Sequence, residues 1–262
     1  MAASPPAQQA SSVKVAFESV ESISANRIVL YGTGGIGKTS LCLKLPGKTA
    51  FFDLDNSLGK LDSGRTNRIV KPKNTSTWAN VRAALAGSGW ENVNNIVIDS
   101  ASELEKLCLA HVLRTIKTEK NVAASSIEQY GYGKGYRHLY DTFLHILADL
   151  DRHFLEGRNV VLVCHEDRAT VPNPEGEDWV RYEPLLYQSN NISLRAKVKN
   201  WADQVLFLGY DVAVEDGVGK GQGTRTLWTV ERPHCMAKSR TCNEVIPIED
   251  QDMDPWPTVG VK

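Results

Sequence analysis

Hydrophobic positions along the chain follow two alternating patterns. Short runs of consecutive aliphatic residues, such as Ile96-Val97-Ile98, are typical of strands that are buried on both faces. Longer segments between them carry apolar residues at helical spacing, as at Leu104, Cys108 and Val112. The alternation predicts an α/β fold with a mostly parallel central sheet and helices on both faces. The predicted strands are 27–31, 49–53, 95–99, 159–165, 204–210, 224–231 and 243–248, and the predicted helices are 40–45, 76–86, 101–118, 136–154 and 191–202.

The segments outside this pattern divide the chain into three parts. Residues 1–25 are predicted to be a flexible N-terminal arm, residues 26–248 the folded core, and residues 249–262 an acidic, solvated C-terminal tail. Within the core, residues 120–135 are predicted to be a loop that is rich in glycine and tyrosine. Residues 166–190 contain prolines and acidic residues, and this segment is too long for a simple connector. It is therefore predicted to be a lid, a binding loop or disordered.

Composition narrows the possible classes of protein. The formal net charge of the 262 residues is −1, so any contact with nucleic acid must come from a local basic patch. No apolar run is long enough for a membrane span, and the first residues lack the pattern of a secretory signal. The five cysteines are an odd number, which is typical of reduced thiols in a cytosolic protein. We therefore expect a cytoplasmic protein without a membrane partner.

The most specific motif is the octapeptide GTGGIGKT, which fits the phosphate-binding pattern G-x-x-x-x-G-K-[ST]. It lies between a predicted strand and a predicted helix, where backbone N–H groups and the helix N-terminus can surround a phosphate. We expect Lys38 to reach the β- and γ-phosphates and the Thr39 hydroxyl to hold Mg²⁺. No guanine-reading N-K-x-D motif is present, so the predicted ligands are ATP and Mg²⁺. The predicted nucleotide-binding residues are Gly32, Thr33, Gly34, Gly35, Ile36, Gly37, Lys38, Thr39 and Ser40.

Polar residues at the ends of three other predicted strands are candidates for binding Mg²⁺, for activating water and for sensing the γ-phosphate. Asp99 ends an apolar strand that fits a Walker B element, so it is predicted to lie beside Mg²⁺. Asp53 and Asp55 follow the second strand, and alternation predicts them on one face; Asp55 is predicted to be the general base, with Asp53 as the alternative. Glu103 is a third candidate that is expected to face solvent. His165 ends the fourth strand and is predicted to sense the γ-phosphate if that strand lies between the first and the third.

Together these motifs resemble the core of RecA/Rad51-like P-loop NTPases, and most of all the small phage-type ATP-binding proteins of single-strand annealing and recombination. The resemblance covers residues 26–248. It implies a RecA-like ATPase that hydrolyses ATP with Mg²⁺ and assembles into a homo-oligomeric ring or filament. It further implies action on single-stranded DNA in phage recombination, annealing or replication, within the cytoplasm of a bacterial host. A single-strand-binding or replication protein is a further implied partner.

The resemblance also implies roles for individual residues. Asp55 matches the catalytic glutamate of RecA-like enzymes but is shorter by one methylene. Lys238 and Arg240 match a K-x-R element that reaches the γ-phosphate bound to a neighbouring subunit, where they would stabilise charge in the transition state. Two solvated surface cations are the alternative explanation of this pair.

A DNA-binding loop is implied after His165. Cations near this loop, and near a second glycine-rich loop at 130–137, are the candidate DNA contacts, with tyrosines and a tryptophan available for base stacking. Acidic residues in the same segment, such as Glu166 and Asp167, oppose the binding of phosphates. The candidate DNA-binding residues are Lys134, Arg137, Arg181, Arg195, Lys197 and Lys199.

Two other functions stay open from the sequence. A P-loop ATPase of another class, such as an AAA-type remodeller or a helicase loader, would act on a protein partner, although the sequence shows no separate helical lid domain. A nucleotide-binding scaffold without hydrolysis is the third hypothesis, because aspartate stands where related enzymes have glutamate.

Overall fold

The computed structural model of the protein describes residues 15–19, 22–61, 68–189, 191–215, 218–250 and 252–262, with the backbone alone at 213–215, 218–220 and 222. The helices are α1 (Lys38–Cys42), α2 (Trp78–Ala86), α3 (Ala101–Thr115), α4 (Lys134–Leu155), α5 (Leu194–Trp201) and α6 (Trp256–Val259). The strands are β1 (Arg27–Gly32), β2 (Thr49–Asp53), β3 (Ile69–Val70), β4 (Asn95–Asp99), β5 (Asn159–Val171), β6 (Trp179–Pro184), β7 (Gln204–Glu215), β8 (Val218–Trp228) and β9 (Val245–Ile248). Two short 3₁₀ turns lie at Leu58–Lys60 and Ile127–Tyr130.

The described strands form one sheet in the order β3-β2-β4-β5-β1-β7-β8-β9, with β6 paired to β5 outside this row. Neighbouring strands from β3 to β7 are parallel, whereas β8 and β9 continue the sheet in antiparallel pairing. Strand β5 lies between β1 and β4, with His165 opposite Gly32 and Val163 opposite Asp99. The carboxyl ends of these three strands therefore meet at one edge of the sheet, where ligands of α/β proteins bind.

Helices cover both faces of the sheet because the apolar side chains alternate in direction along its strands. In β1, Val29 and Tyr31 pack with helices α2 to α5, whereas Ile28 and Leu30 pack with α1 and α6 on the opposite face. All four side chains are fully buried. The predicted fold class, an α/β protein with a mostly parallel sheet covered on both faces, is confirmed.

The segment after His165 is a β-hairpin and not a loop. Strand β5 continues past the sheet edge to Val171 and pairs antiparallel with β6, with Glu166 opposite Pro184 and Val171 opposite Trp179. Pro172 and Pro174 lie in the connection between the two strands, where no ladder hydrogen bond is needed, and Pro184 is the last residue of β6. The apolar run that marks a buried strand ends before this extension, so the hydrophobic pattern conceals it.

Other boundaries differ from the predictions by a few residues. Helix α3 ends at Thr115 instead of residue 118, and α4 begins at Lys134 within the predicted loop. Residues 1–14, 20 and 21 of the predicted N-terminal arm lie outside the described part of the chain. None of the helices that the structure describes is both long and apolar enough to cross a membrane.

The C-terminal segment packs on the core, although its acidic composition predicted a solvated tail. Helix α6 buries Trp256 and Val259, and Val261 joins the same apolar cluster. The indole N–H of Trp256 donates a hydrogen bond to the carbonyl oxygen of Leu41 in α1 at 2.9 Å. Three apolar side chains therefore anchor this segment beside the helix that follows the phosphate-binding motif, and the prediction of full solvation is corrected.

Candidate nucleotide-binding site

The GTGGIGKT segment connects the end of β1 to the start of α1. Gly35 and Gly37 have φ angles of 78° and 105°, which residues with a Cβ atom rarely adopt. These conformations allow successive backbone N–H groups to face a bound anion. Helix α1 begins after the N-cap residue Gly37, so its first N–H groups have no partner within the helix. The segment therefore has the backbone form of a phosphate-binding loop at the carboxyl edge of the sheet.

Gly32 controls how closely β7 approaches this loop. A Cβ atom at Gly32 would lie 2.2 Å from the carbonyl oxygen of Leu208, a backbone atom that cannot rotate away. At Gly34, by contrast, a Cβ atom would meet no heavy atom within 4 Å. Close backbone packing therefore requires a glycine at position 32, whereas the space around Gly34 would admit a side chain.

Replacing Gly32 by alanine is expected to destabilise the protein by about 3 kcal/mol, because the added methyl group overlaps a backbone atom of the central sheet. Gly34→Ala is the matched control, and we expect its free energy of unfolding to stay close to that of the wild type. Urea unfolding followed by circular dichroism measures both. Equal stability of the two variants would show that β7 can move away from β1 at low cost.

Lys38 lies inside the loop and is 7% exposed. Its ammonium group donates hydrogen bonds to the carbonyl oxygens of Gly32 at 2.8 Å and Thr33 at 2.9 Å. Burial lowers the pKa of Lys38, and the negative charge of Asp99 opposes this shift. The amine is therefore held at the mouth of the loop, where a polyanion would favour its charged form.

Thr39 and Asp99 meet as the sequence predicts. The Thr39 hydroxyl donates a hydrogen bond to Asp99 Oδ2 at 2.6 Å, and Asp99 is 3% exposed. Burial raises the pKa of Asp99, and the hydrogen bond from Thr39 opposes that shift. A hydroxyl and a carboxylate are oxygen ligands that Mg²⁺ prefers, and a divalent cation beside them would favour the ionised carboxylate. The residues thus fit a magnesium–nucleotide complex.

Asp55, which lies two residues after the end of β2, and not Asp53, faces this pair. The backbone N–H of Asp55 donates to the Asp99 carbonyl at 3.3 Å, and its carboxylate accepts a hydrogen bond from the Ser100 hydroxyl at 3.3 Å. The carboxylate of Asp53 instead pairs with Lys71 at 2.9 Å. The two acids have different partners because β2 ends at Asp53, so the alternation that predicted one shared face does not continue. Glu103, the third candidate, lies in the first turn of α3.

His165 lies next to Asp55 at the end of the buried part of β5. Its Nε2 atom is 3.5 Å from Asp55 Oδ2. Its backbone N–H donates to the Ser102 hydroxyl at 3.3 Å, and its carbonyl oxygen accepts a hydrogen bond from the N–H of Leu185 at 2.8 Å. The sequence predicted that His165 senses the γ-phosphate if its strand lies between the first and third predicted strands. Strand β5 does lie between β1 and β4, so this condition is met. The same residue is bound to the base of the β5–β6 hairpin through its backbone.

Lys238 and Arg240 lie at the opposite end of the sheet from the loop of their own chain. Lys238 exchanges backbone hydrogen bonds with Val205, near the start of β7, and its ammonium group donates to the carbonyl of Lys199 at 2.7 Å. Arg240 Nε is 3.6 Å from the carboxylate of Asp203, which precedes β7. These cations therefore do not contribute to the site within one subunit, and their predicted role across a subunit interface stays a prediction.

The candidate DNA-binding cations are mostly paired with carboxylates. Arg195 is 4% exposed, and its guanidinium binds Glu183 at 2.6 Å and also Asp167. This burial leaves no room for a phosphate, so the structure corrects the prediction for Arg195. The other pairs are Arg181 with Glu183 and Glu231, Lys199 with Glu231, Lys134 with Glu119, and Arg137 with Asp141. Lys197 is exposed on α5, and no ion pair with it occurs among the residues that the structure describes.

Sequence reasoning missed one residue of the site. Arg225 in β8 reaches the phosphate-binding loop and donates a hydrogen bond from Nη1 to the carbonyl oxygen of Ile36 at 2.7 Å. A single arginine in a strand far along the chain carries no local signal of this contact. The pairing of β7 with β8 brings it there.

The fold and this arrangement of Lys38, Thr39 and Asp99 define a P-loop ATPase. A family model described as an AAA domain, AAA_24, matches residues 24–241. The chain therefore belongs to this AAA-domain family, whose members are P-loop ATPases of the AAA type. No curated protein matches the sequence.

Proposed function

We propose that the protein is a RecA-like ATPase that acts on single-stranded DNA in phage recombination, annealing or replication, as a ring or filament of identical subunits in the cytoplasm of a bacterial host. The observation that carries the proposal is the position of His165. Its side chain lies beside Asp55, whereas its backbone is bound to Leu185 at the end of the β5–β6 hairpin. A change at the phosphate-binding site can therefore be transmitted to a hairpin that projects from the sheet edge.

The residues of the site have distinct roles in this proposal. Lys38 binds the β- and γ-phosphates, and Asp55 accepts a proton from the attacking water. Thr39 and Asp99 hold Mg²⁺, which when bound neutralises negative charge on the phosphates. The imidazole of His165 contacts the γ-phosphate, and loss of that contact after hydrolysis releases the side chain toward Asp55.

Lys238 and Arg240 support an oligomer in this proposal. Both lie far from the loop of their own subunit, and the side chain of Arg240 is largely exposed. A neighbouring subunit that placed its own phosphate-binding loop against this end of the sheet would receive two cations for the transition-state charge.

An AAA-type ATPase that acts on a protein partner is the second candidate. The match to an AAA-domain family favours it. The ion pairs of Arg181 and Arg195 with acidic neighbours favour it as well, because they neutralise cations that were expected to bind phosphates.

ATP turnover with and without single-stranded DNA distinguishes the two candidates. If DNA is the partner, we expect it to raise the turnover of the wild type, and we expect Lys197→Glu to weaken this stimulation while basal turnover is kept. Lys262→Glu, which changes the charge equally at an exposed position outside α5, is the control. Turnover that DNA leaves unchanged would contradict the DNA proposal and favour a protein partner.

A further inference from the structure

We propose that Arg225 and Tyr210 form the nucleoside-side half of the site. In this proposal the guanidinium of Arg225 contacts the phosphate nearest the ribose, and the ring of Tyr210 packs on the base. The inference rests on the proposed binding of ATP, and it assigns to two residues of the β7–β8 hairpin a role that the phosphate-binding motif does not reveal.

A cleft lies along the outer side of the phosphate-binding loop. Its volume is about 930 Å³, and it is lined by Gly37 and Ser40 from the loop and α1, by Tyr210 and Arg225 from the hairpin, and by Asp250 from the segment after β9. Lys38, Thr39 and Asp99 do not line it. The cleft is therefore on the side of the loop that faces away from the catalytic carboxylates.

The positions of the acids fix the direction of a bound triphosphate. Asp55 and His165 lie on the Asp99 side of the loop, so the terminal phosphate must point there for Asp55 to reach the attacking water. The other end of the triphosphate then leaves the loop on the opposite side, past Ser40. The cleft is the space on that side, and its size suits a nucleoside.

The guanidinium of Arg225 can bind the phosphate that leaves the loop on the side of the cleft. Among the residues that the structure describes, Arg225 donates one side-chain hydrogen bond, from Nη1 to the Ile36 carbonyl, so most of its five N–H donors stay available. Among the residues whose side chains the structure describes, no carboxylate forms an ion pair with Arg225, in contrast to Arg27 and Arg82, which pair with aspartates. A Cβ atom on Gly37 would come within 2.5 Å of Nη1, so the glycine makes room for the guanidinium. The positive charge of Arg225 therefore lies against the loop without a direct ion-pair partner among the described side chains, and Glu249, Asp250 and Asp252 line other parts of the same cleft.

Tyr210 has the position and the surface to support a base. It stands directly opposite Arg225 in the β7–β8 pairing, and paired residues project to the same face of a sheet. Two residues earlier in β7, Leu208 is buried on the α1 side, so alternation puts Tyr210 on that side as well. Tyr210 is 51% exposed, which leaves part of its ring free to stack on a flat heterocycle.

Binding of ATP, ADP and pyrophosphate to the purified chain, measured by titration calorimetry, tests the proposal. We expect Arg225→Ala to weaken ATP and ADP binding about tenfold or more, since a charge-assisted contact is lost. Pyrophosphate, which needs only the loop and Lys38, should bind almost as it does to the wild type. Arg225→Lys should retain part of the affinity because it keeps the charge but not the planar donor fork. Tyr210→Ala should weaken both nucleotides about tenfold and leave pyrophosphate unchanged, because the lost stacking contact is made only by the base.

Matched controls show whether Arg225 and Tyr210 contact the nucleotide or only stabilise the fold. Arg232→Ala and Tyr132→Ala remove the same side chains at exposed positions outside the cleft and should bind all three ligands normally. If Arg225→Ala weakens pyrophosphate as much as ATP and Tyr210→Ala changes nothing, Arg225 only braces the loop and the proposal is wrong. If Arg225→Ala and Tyr210→Ala both bind ATP with wild-type affinity, this proposal is wrong, but the ATPase function is not affected. A wild type that binds no nucleotide overturns the ATPase function, and this proposal with it.

Discussion

Replacing Lys38 by methionine is expected to lower ATP turnover by about three orders of magnitude, because the only ammonium group inside the loop no longer stabilises charge on the transferred phosphoryl group. Methionine keeps the unbranched apolar stem of the side chain and is one atom shorter than lysine. The fold should therefore persist, since burial already disfavours the charge of Lys38. Steady-state phosphate release measures the turnover, and thermal unfolding measures the fold.

Lys48→Met is the control for this experiment, since Lys48 lies in the connection between α1 and β2, outside the loop. It should keep full turnover. If Lys38→Met hydrolysed ATP at the wild-type rate while remaining folded, the phosphate-binding loop could not be the catalytic site. The roles inferred for Thr39, Asp99 and Asp55 would then have no support.

Asp55→Asn is expected to reduce turnover about a hundredfold or more, the usual contribution of a general base, while the affinity for ATP is largely kept. The amide keeps the shape of the side chain and its contact with Ser100, but it cannot accept a proton from water. Single-turnover hydrolysis together with nucleotide titration separates the chemical step from binding.

Asp53→Asn distinguishes between Asp53, which ends β2, and Asp55, which lies two residues beyond that end. The carboxylate of Asp53 is engaged by Lys71 and by the backbone N–H of Ser57, so its replacement should change stability more than turnover. Asp55→Glu restores the missing methylene and should keep hydrolysis. A larger loss of turnover in Asp53→Asn than in Asp55→Asn would reverse the assignment of the base. Unchanged turnover in both would favour a base outside this segment.

The sequence predicted the central sheet well because strands that are buried on both faces read as continuous apolar runs. Strands β1, β2 and β4 begin and end within one residue of their predicted bounds. The phosphate-binding loop was also predictable because its glycines, Lys38 and Thr39 are neighbours in the sequence. The β5–β6 hairpin was missed because its charged residues interrupt the apolar pattern, and because the residues that β6 buries, Glu183 and Pro184, are not the aliphatic residues that mark a buried strand.

Local chemistry was thus determined by the sequence alone: the loop that holds phosphates, the strand that ends in Asp99, and the alternation that makes an α/β sheet. Only the tertiary structure decided which residues meet across long separations. The insertion of β5 between β1 and β4 brought His165 to Asp55, the ion pairs of Arg195 buried a predicted DNA contact, and the pairing of β7 with β8 carried Arg225 to the loop. Such contacts depend on the order of strands in the sheet, and strand order is set by the packing of the whole chain, so no short segment contains it.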